Sequence, residues 1–237
     1  MRAIIRGTEG GHAMKRLLLA LIVLGSAHAL TAQSKALTAE PQFQAAETVS
    51  VTDIPVAVAS TANGTVVLDA IITNTGAVER IEVRRDIADL ASMAVQTMEN
   101  WKFSPATLAG KAIASRMPIA VNFRPPSRLA AAVPLPPLIP QSEAAIQAEF
   151  QPAEVIRAAF PNYPGNTVAI GTVVLEVPVS ETGKAGEVKV LRDLPPLTEA
   201  AMAAVGEWRF MAATLNGHPV RSKIVLAFVF NTDLGPW

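Results

Sequence analysis

The sequence predicts an α+β fold built from two tandem β-β-α-β domains. The chain of 237 residues matches itself without a gap when residues 64–123 are placed on residues 171–230, an offset of 107. Within each copy, apolar residues recur first with a period of two, then of 3.6, then of two again, as in strands flanking a helix. A proline-rich stretch separates the copies. Each copy is large enough to form a small domain, so we expect two.

The repeated residues serve turns and packing. Thr75-Gly76 matches Thr182-Gly183, and Trp101-x-Phe103 matches Trp208-x-Phe210. No nucleophile paired with a base and no set of metal ligands is among them. The repeat therefore encodes a packing unit, and we expect function to come from a surface.

A β-hairpin opens each copy. Two alternating apolar segments flank a Thr-Gly turn, which predicts a hairpin with one buried face. The apolar positions are Val66, Leu68, Ala70, Ile72, Ile81 and Val83 in the first copy, and Val173, Leu175, Val177, Val179, Val188 and Val190 in the second.

A helix and a final strand complete each copy. The helical stripes are Leu90, Ala94, Met98 and Trp101, and Leu197, Ala201, Val205 and Trp208. Asp86 and Asp193 precede them as candidate caps. Because the tryptophans end these stripes, we expect Trp101, Phe103, Trp208 and Phe210 to form structural core. The final strands carry Met117, Ile119, Val121 and Phe123, and Ile224, Leu226, Phe228 and Phe230. Each unit is then a three-stranded antiparallel sheet covered by one helix.

The N-terminus has the pattern of an export signal. Lys15-Arg16 precede an apolar run, Leu17 to Ala27, which is too short to span a bilayer. Ala27-His28-Ala29 offers a cleavage site, so we assign residues 1–32 to a signal peptide, with an uncleaved anchor at residues 17–32 as the alternative. Residues 33–48 are polar and alanine-rich, and we expect a flexible leader there.

The remaining boundaries follow from the repeat and from proline. Domain 1 is expected over residues 49–124 and domain 2 over residues 148–237. Residues 125–147 form the linker, which holds six prolines within residues 125–140. Such a segment favours polyproline II, and at about 3.1 Å per residue it would hold the domains roughly 50 Å apart.

Composition excludes several classes of function. The chain has no cysteine, so thiol chemistry and lipid attachment through cysteine are excluded. Removing residues 1–32 takes away four basic and one acidic residue, which leaves a net charge of about −3. This charge argues against nucleic acid as a partner. The three histidines, His12, His28 and His218, are scattered, and no cofactor, metal site or enzyme activity is predicted.

Both copies resemble the C-terminal domain of TonB, the periplasmic energy transducer that contacts outer-membrane receptors, and the second copy is the closer match. The stretches that carry the likeness are Tyr163-Pro164, the helix from Leu197 to Trp208, Trp208-Arg209-Phe210 and Asn216-Gly217-His218-Pro219. The resemblance implies a periplasmic module that captures an extended segment beside its last strand. It also implies partners among cell-envelope proteins, with TonB-dependent outer-membrane receptors as candidates.

The sequence also departs from TonB. TonB has an anchor with a serine and a histidine three residues apart, whereas Ser26 and His28 are two apart on a segment that looks cleavable. A membrane-anchored energy transducer is therefore the alternative interpretation. A third is an envelope scaffold that self-associates, as a homodimer, through its strand edges. Contact with a membrane is expected only if the N-terminal segment stays uncleaved.

A difference between the last strands indicates which copy binds. Pro118 corresponds to Val225. A proline within a strand has no backbone N–H to donate, so it is typical of a strand at the edge of a sheet. We therefore predict that domain 2 folds alone and captures the partner, while domain 1 is a blunted spacer or a dimer partner. The alternative is that this outer face packs against the linker or a second helix. The predicted protein-binding residues are Arg221, Lys223, Ile224, Val225, Leu226, Ala227 and Phe228.

Overall fold

The computed structural model describes residues 42–55, 64–87, 90–124, 132–139, 150–165 and 167–230. All of these belong to one compact unit, Gln42–Trp237. The predicted signal peptide, the alternative anchor and residues 33–41 of the predicted leader lie outside the described residues, as do parts of the linker.

The elements follow the same order in both repeats. The first contains β1 (Phe43–Gln44), β2 (Glu47–Ser50), β3 (Gly64–Ile72), β4 (Val78–Arg85), α1 (Leu90–Met98), β5 (Lys102–Ser104), β6 (Ala106–Leu108), β7 (Lys111–Ile113) and β8 (Ser115–Arg124). The linker contributes β9 (Ala132–Pro134). The second contains β10 (Phe150–Gln151), β11 (Glu154–Ala159), β12 (Gly171–Val179), β13 (Lys189–Arg192), α2 (Leu197–Val205), β14 (Arg209–Met211), β15 (Ala213–Leu215), β16 (His218–Val220) and β17 (Ser222–Phe230). The α+β class is confirmed, but each repeat adds short strands to the predicted unit.

The long strands form one six-stranded sheet in the order β13-β12-β17-β8-β3-β4. Neighbours within each repeat are antiparallel, whereas β17 and β8, which join the repeats, are parallel. The sheet is therefore continuous across both copies.

The register at this junction places the two helices on opposite faces. Val225 pairs with Ile119, whereas the repeat equivalent of Ile119 is Leu226. Side chains of residues paired across neighbouring strands point to the same face of the sheet, whereas successive side chains along one strand point to opposite faces. Because the pairing differs from the repeat alignment by one residue, equivalent side chains of the two repeats point to opposite faces. The repeats are thus related by an approximate two-fold axis along the strands. Phe43 contacts its own equivalent, Phe150, with ring centroids 4.8 Å apart, as expected near such an axis.

Both faces of the sheet are consequently buried, where the sequence predicted one buried face per repeat. One core contains α2 with Val67 and Ala120 from the first repeat. The other contains α1 with Val225 and Ala227 from the second. Apolar residues on the outer face of each repeat lie in the core that contains the other repeat's helix, and polar residues of that face such as Asp69 and Glu176 are buried as well. The alternative interpretation, packing against a second helix, therefore describes this structure. The prediction of two separate domains does not match it.

The predicted leader and linker also differ from the structure. Within the supposed leader, β1 pairs with β6 in the register in which β10 pairs with β15. Within the supposed spacer, β9 pairs antiparallel with β11. Further along, the Ile139 amide donates to the Arg84 carbonyl at 2.8 Å. The described linker residues therefore pack against the fold instead of separating two domains.

A close backbone approach explains why the Thr-Gly turn and the aromatic strand repeat together. Gly76 and Gly183 have φ values of 87° and 75°. A Cβ on Gly76 would lie 2.4 Å from the Phe103 carbonyl oxygen, and one on Gly183 would lie 2.2 Å from that of Phe210. Only glycine satisfies both the left-handed conformation and this contact.

The two helix starts are stabilised differently. One Asp86 carboxylate oxygen accepts from the Ile87 amide at 2.7 Å and from the Ala91 amide at 3.1 Å, which is the predicted capping role. Asp193 instead accepts from the Thr198 hydroxyl at 2.5 Å, and that hydroxyl accepts from the Leu194 amide at 2.8 Å. No side chain caps α2, so the predicted capping role of Asp193 is wrong.

Candidate protein-binding surface

The predicted binding strand lies in the interior of the sheet. β17 pairs with β12 along one edge and with β8 along the other. Its residues from Ile224 to Phe228 are buried, whereas Arg221, just before the strand, has a side chain that is 84% exposed. The edge predicted to capture a partner is thus occupied by the first repeat, because the tandem copy supplies a complementary strand within the same chain.

Pro118 also has a different setting from the one expected. It lies in an interior strand, opposite Asp69 of β3, and not at a sheet edge. The parallel ladder between β8 and β17 begins one residue later, at Ile119. A missing donor is tolerated here because the ladder with β17 starts beyond the proline.

A groove lies where the start of the first repeat meets the start of β17. Its volume is about 720 Å³, and residues of both repeats line it. The predicted residues Arg221 and Lys223 are among the lining side chains, with Phe43, Glu47 and Pro178. Two of the predicted binding residues therefore line this groove, although the sequence analysis chose them as part of a free strand edge.

Lys223 organises the charges of the groove. Its ammonium group donates to Glu47 at 2.5 Å and to the buried Glu176 at 3.2 Å. The second Glu176 oxygen accepts from the Thr48 amide at 2.8 Å. Burial lowers the pKa of Lys223, but the hydrogen bonds and charges of the two glutamates outweigh burial and raise that pKa above its ordinary value. The hydrogen bond and charge of Lys223 lower the pKa of Glu47.

The symmetry-related position holds a similar but larger ion cluster. Asp69 and Arg116 are the repeat equivalents of Glu176 and Lys223, and Arg84 donates to Asp69 at 2.7 Å. Glu154, the equivalent of Glu47, lies 3.4 Å from Arg84. Burial raises the pKa of Asp69, although both guanidinium groups oppose the change. In each half, a glutamate from one repeat reaches the ion cluster of the other, which ties the two repeats together.

The described linker residues, 132–139, lie on one of these two symmetry-related sides. Near Asp69, Arg84 Nε donates to the Ile139 carbonyl at 2.6 Å, and Arg85 donates to the Pro136 carbonyl. β11 on this side pairs with both β14 and β9. Across the axis, β2 pairs with β5 alone among the strands that the structure describes. Val49 in β2 is 65% exposed.

Sequence reasoning missed β2 because the predicted leader, residues 33–48, ends in the middle of this strand. The signal was present: Phe43-Gln44-x-Ala46-Glu47 matches Phe150-Gln151-x-Ala153-Glu154 at the same offset of 107. The repeat thus begins about twenty residues before the stretch where the match is densest.

The family model of the Gram-negative bacterial TonB protein C-terminal matches residues 55–125 and 160–232. These two matches cover more than half of the chain. The chain belongs to the TonB C-terminal family. The predicted tandem of TonB C-terminal domains is thereby confirmed. Comparison with curated proteins and comparison with solved structures each found no match.

Membership of the TonB C-terminal family gives the general role. This is a family of non-enzymatic, protein-interacting domains of the Gram-negative cell envelope. In the part of the chain that the structure describes, neither helix is long and apolar enough to cross a membrane.

The Glu47–Lys223 pair predicts a pH dependence of stability. Because the folded state lowers the pKa of Glu47, the pair stabilises the fold above the ordinary value of about 4.5, and this contribution is lost as the pH falls through the folded-state pKa. Glu47 is mostly exposed, so the effect should stay within about 1 kcal/mol. We expect Glu47→Gln to reduce stability in urea melts at pH 7 and to have a smaller effect near pH 3. An equal loss at both pH values would contradict this account.

Proposed function

We propose that this TonB-family protein is an exported, periplasmic module that captures an extended segment of another envelope protein by β-strand addition. The supporting observation is that the chain binds a segment of itself in this way. β9 of the linker adds antiparallel to β11, and the Leu135 amide donates to the Ile156 carbonyl at 3.1 Å. Main-chain bonds of this kind supply affinity in strand addition, while side-chain contacts supply register.

Outer-membrane receptors of the TonB-dependent class are the partners that the family membership favours. Their capture at β17 would require β8 to leave, since both edges of β17 are paired in this structure. An edge elsewhere in the molecule therefore suits the proposed function better.

Two other roles from the sequence analysis are distinguished by simple measurements. An anchored energy transducer would retain residues 17–32, so mass spectrometry of the mature N-terminus separates it from an exported protein. A chain that begins near residue 30 or 33 excludes the anchored form. A self-associating scaffold would instead show a molecular mass that rises with protein concentration in sedimentation equilibrium.

Strand addition is tested with the whole mature chain, because the two cores share residues of both repeats. Residues 33–237 are immobilised and exposed to detergent-solubilised outer membrane, and captured proteins are mapped to a binding segment with synthetic peptides. The same peptide is then prepared with methyl groups on alternate backbone nitrogens.

We expect methylation to weaken binding strongly, because it removes the donors of an added strand and leaves every side chain in place. Equal binding of the methylated peptide would refute strand addition, and failure to capture any envelope protein would refute the proposed function.

A further inference from the structure

We infer that the open edge of β2 is a second strand-addition site, which takes an extended, apolar, proline-containing segment of a partner protein. The inference rests on the proposed function and names its site and the chemistry of its ligand. It comes from the mismatch between the two halves: β11 carries an added strand, whereas its equivalent β2 has one strand partner in the described part of the chain.

The strands β2 and β11 pair with their inner neighbours in the same register. β2 pairs with β5 as Glu47 with Ser104 and Thr48 with Phe103, and β11 pairs with β14 as Glu154 with Met211 and Val155 with Phe210. These pairs are equivalent at the offset of 107. The register shifts also coincide, at Thr48/Ser50 and at Val155/Arg157. β9 pairs with β11 at Arg157, Ala158 and Ala159, whose repeat equivalents are Ser50, Val51 and Thr52. The matching edge therefore begins at the end of β2 and continues into the residues that follow it.

The ligand chemistry is read from the strand that already occupies the equivalent edge. β9 and the residues after it form an extended segment in which Pro134, Pro136 and Pro137 alternate with leucine. Leu135 and Leu138 pack against the core that contains α2. Proline is tolerated in such a segment because an added strand lies at an edge, where part of its backbone needs no partner.

Apolar side chains are exposed on and near β2. Val49 is 65% exposed, and the neighbouring groove includes Phe43, Ala45, Pro105 and Pro178 among its lining residues. Exposed apolar side chains beside an unpaired strand edge are the combination that strand-adding ligands use. Glu47 and Lys223 neutralise each other at this position, so a neutral, apolar ligand fits better than a strongly charged one.

The absence of cysteine from the chain allows single-site labelling. Val49→Cys places a probe on β2, and Ile156→Cys places the matched probe on β11, where the native side chain is 52% exposed. Each variant of the full mature chain is labelled with an environment-sensitive fluorophore. The titrant is a synthetic peptide with the sequence of residues 130–140, and hydrogen–deuterium exchange of unlabelled protein gives a second measurement.

We expect saturable fluorescence change at position 49, little change at position 156, and added exchange protection over residues 49–52, the equivalents of the β11 residues that β9 contacts. A peptide methylated on the nitrogen that corresponds to Leu135 should bind roughly tenfold more weakly or worse, because that amide makes the edge hydrogen bond on β11.

Three results would overturn the inference. A response at position 156 alone would mean that the peptide displaces β9, and no response at either position would mean that β2 does not accept a strand. A response at position 49 that follows protein concentration without peptide would assign the edge to a second copy of this chain. Peptide binding at β2 without capture of envelope proteins would refute the proposed function and leave this site standing.

Discussion

Replacing either repeated tryptophan with alanine is expected to lower the free energy of unfolding by about 3–5 kcal/mol and to shift one transition of the whole chain. Trp101 and Trp208 are each 2% exposed. Trp101 lies in the core that includes Val225, and Trp208 in the core that includes Val67, so each core depends on both repeats. Urea melts followed by circular dichroism measure the loss and the number of transitions.

The phenylalanine variants provide a matched control. The Trp208 indole nitrogen donates to the Ala159 carbonyl at 2.9 Å, whereas the buried Trp101 indole nitrogen has no partner among the described atoms. Trp208→Phe should therefore cost about 1 kcal/mol more than Trp101→Phe. Two separate transitions, each sensitive to one tryptophan, would show that the repeats fold independently, as the sequence alone predicted. A loss below about 1 kcal/mol on Trp208→Ala would contradict the burial of that side chain.

The local parts of the fold could be predicted from the sequence. The hairpins, the helices and the final strands each depend on apolar spacing over about ten residues, and the structure places them close to the expected positions. Even the exceptions to the apolar pattern, Asp69 and Glu176, recur at equivalent positions. They look like solvent-facing residues but are buried beside Arg84 and Lys223.

The way the repeats combine could not be predicted from alternation alone. A strand with one buried face should alternate, yet residues 224–230 are apolar throughout, which is typical of a strand buried on both faces. If each repeat is a separate domain, the second apolar face of this strand has no partner within the domain, and the run then looks like an exposed binding edge. The element that covers the second face is set by the pairing of β8 with β17, which is shifted by one residue from the repeat alignment. No local sequence pattern specifies that shift.

The candidate site depends on the same nonlocal information. The short match that begins at Phe43 and Phe150 reveals the upstream strands. It cannot show that the linker pairs with β11, because that pairing joins residues 23 to 27 positions apart in the chain. The open edge of β2 becomes visible only when the two halves are compared in three dimensions.

Val225→Pro is expected to unfold the protein or to lower its stability by about 3 kcal/mol or more. Val225 is fully buried and pairs with Glu176 of β12 and Ile119 of β8. A proline there removes a ladder donor from a central strand, leaves a buried acceptor unsatisfied at about 1–3 kcal/mol, and forces its ring into a packed core.

Two further variants separate the backbone effect from the loss of a side chain. Val225→Ala removes packing but keeps the N–H, so we expect a smaller loss than for the proline. Pro118→Val makes the reverse change at the equivalent position, just before the parallel ladder begins at Ile119. Because that position already lies outside the ladder with β17, we expect its stability to change by about 1 kcal/mol or less in the same urea melts. If Val225→Pro kept native circular dichroism and a wild-type melting midpoint, β17 would not be the central strand, and its edge would again be available to a partner.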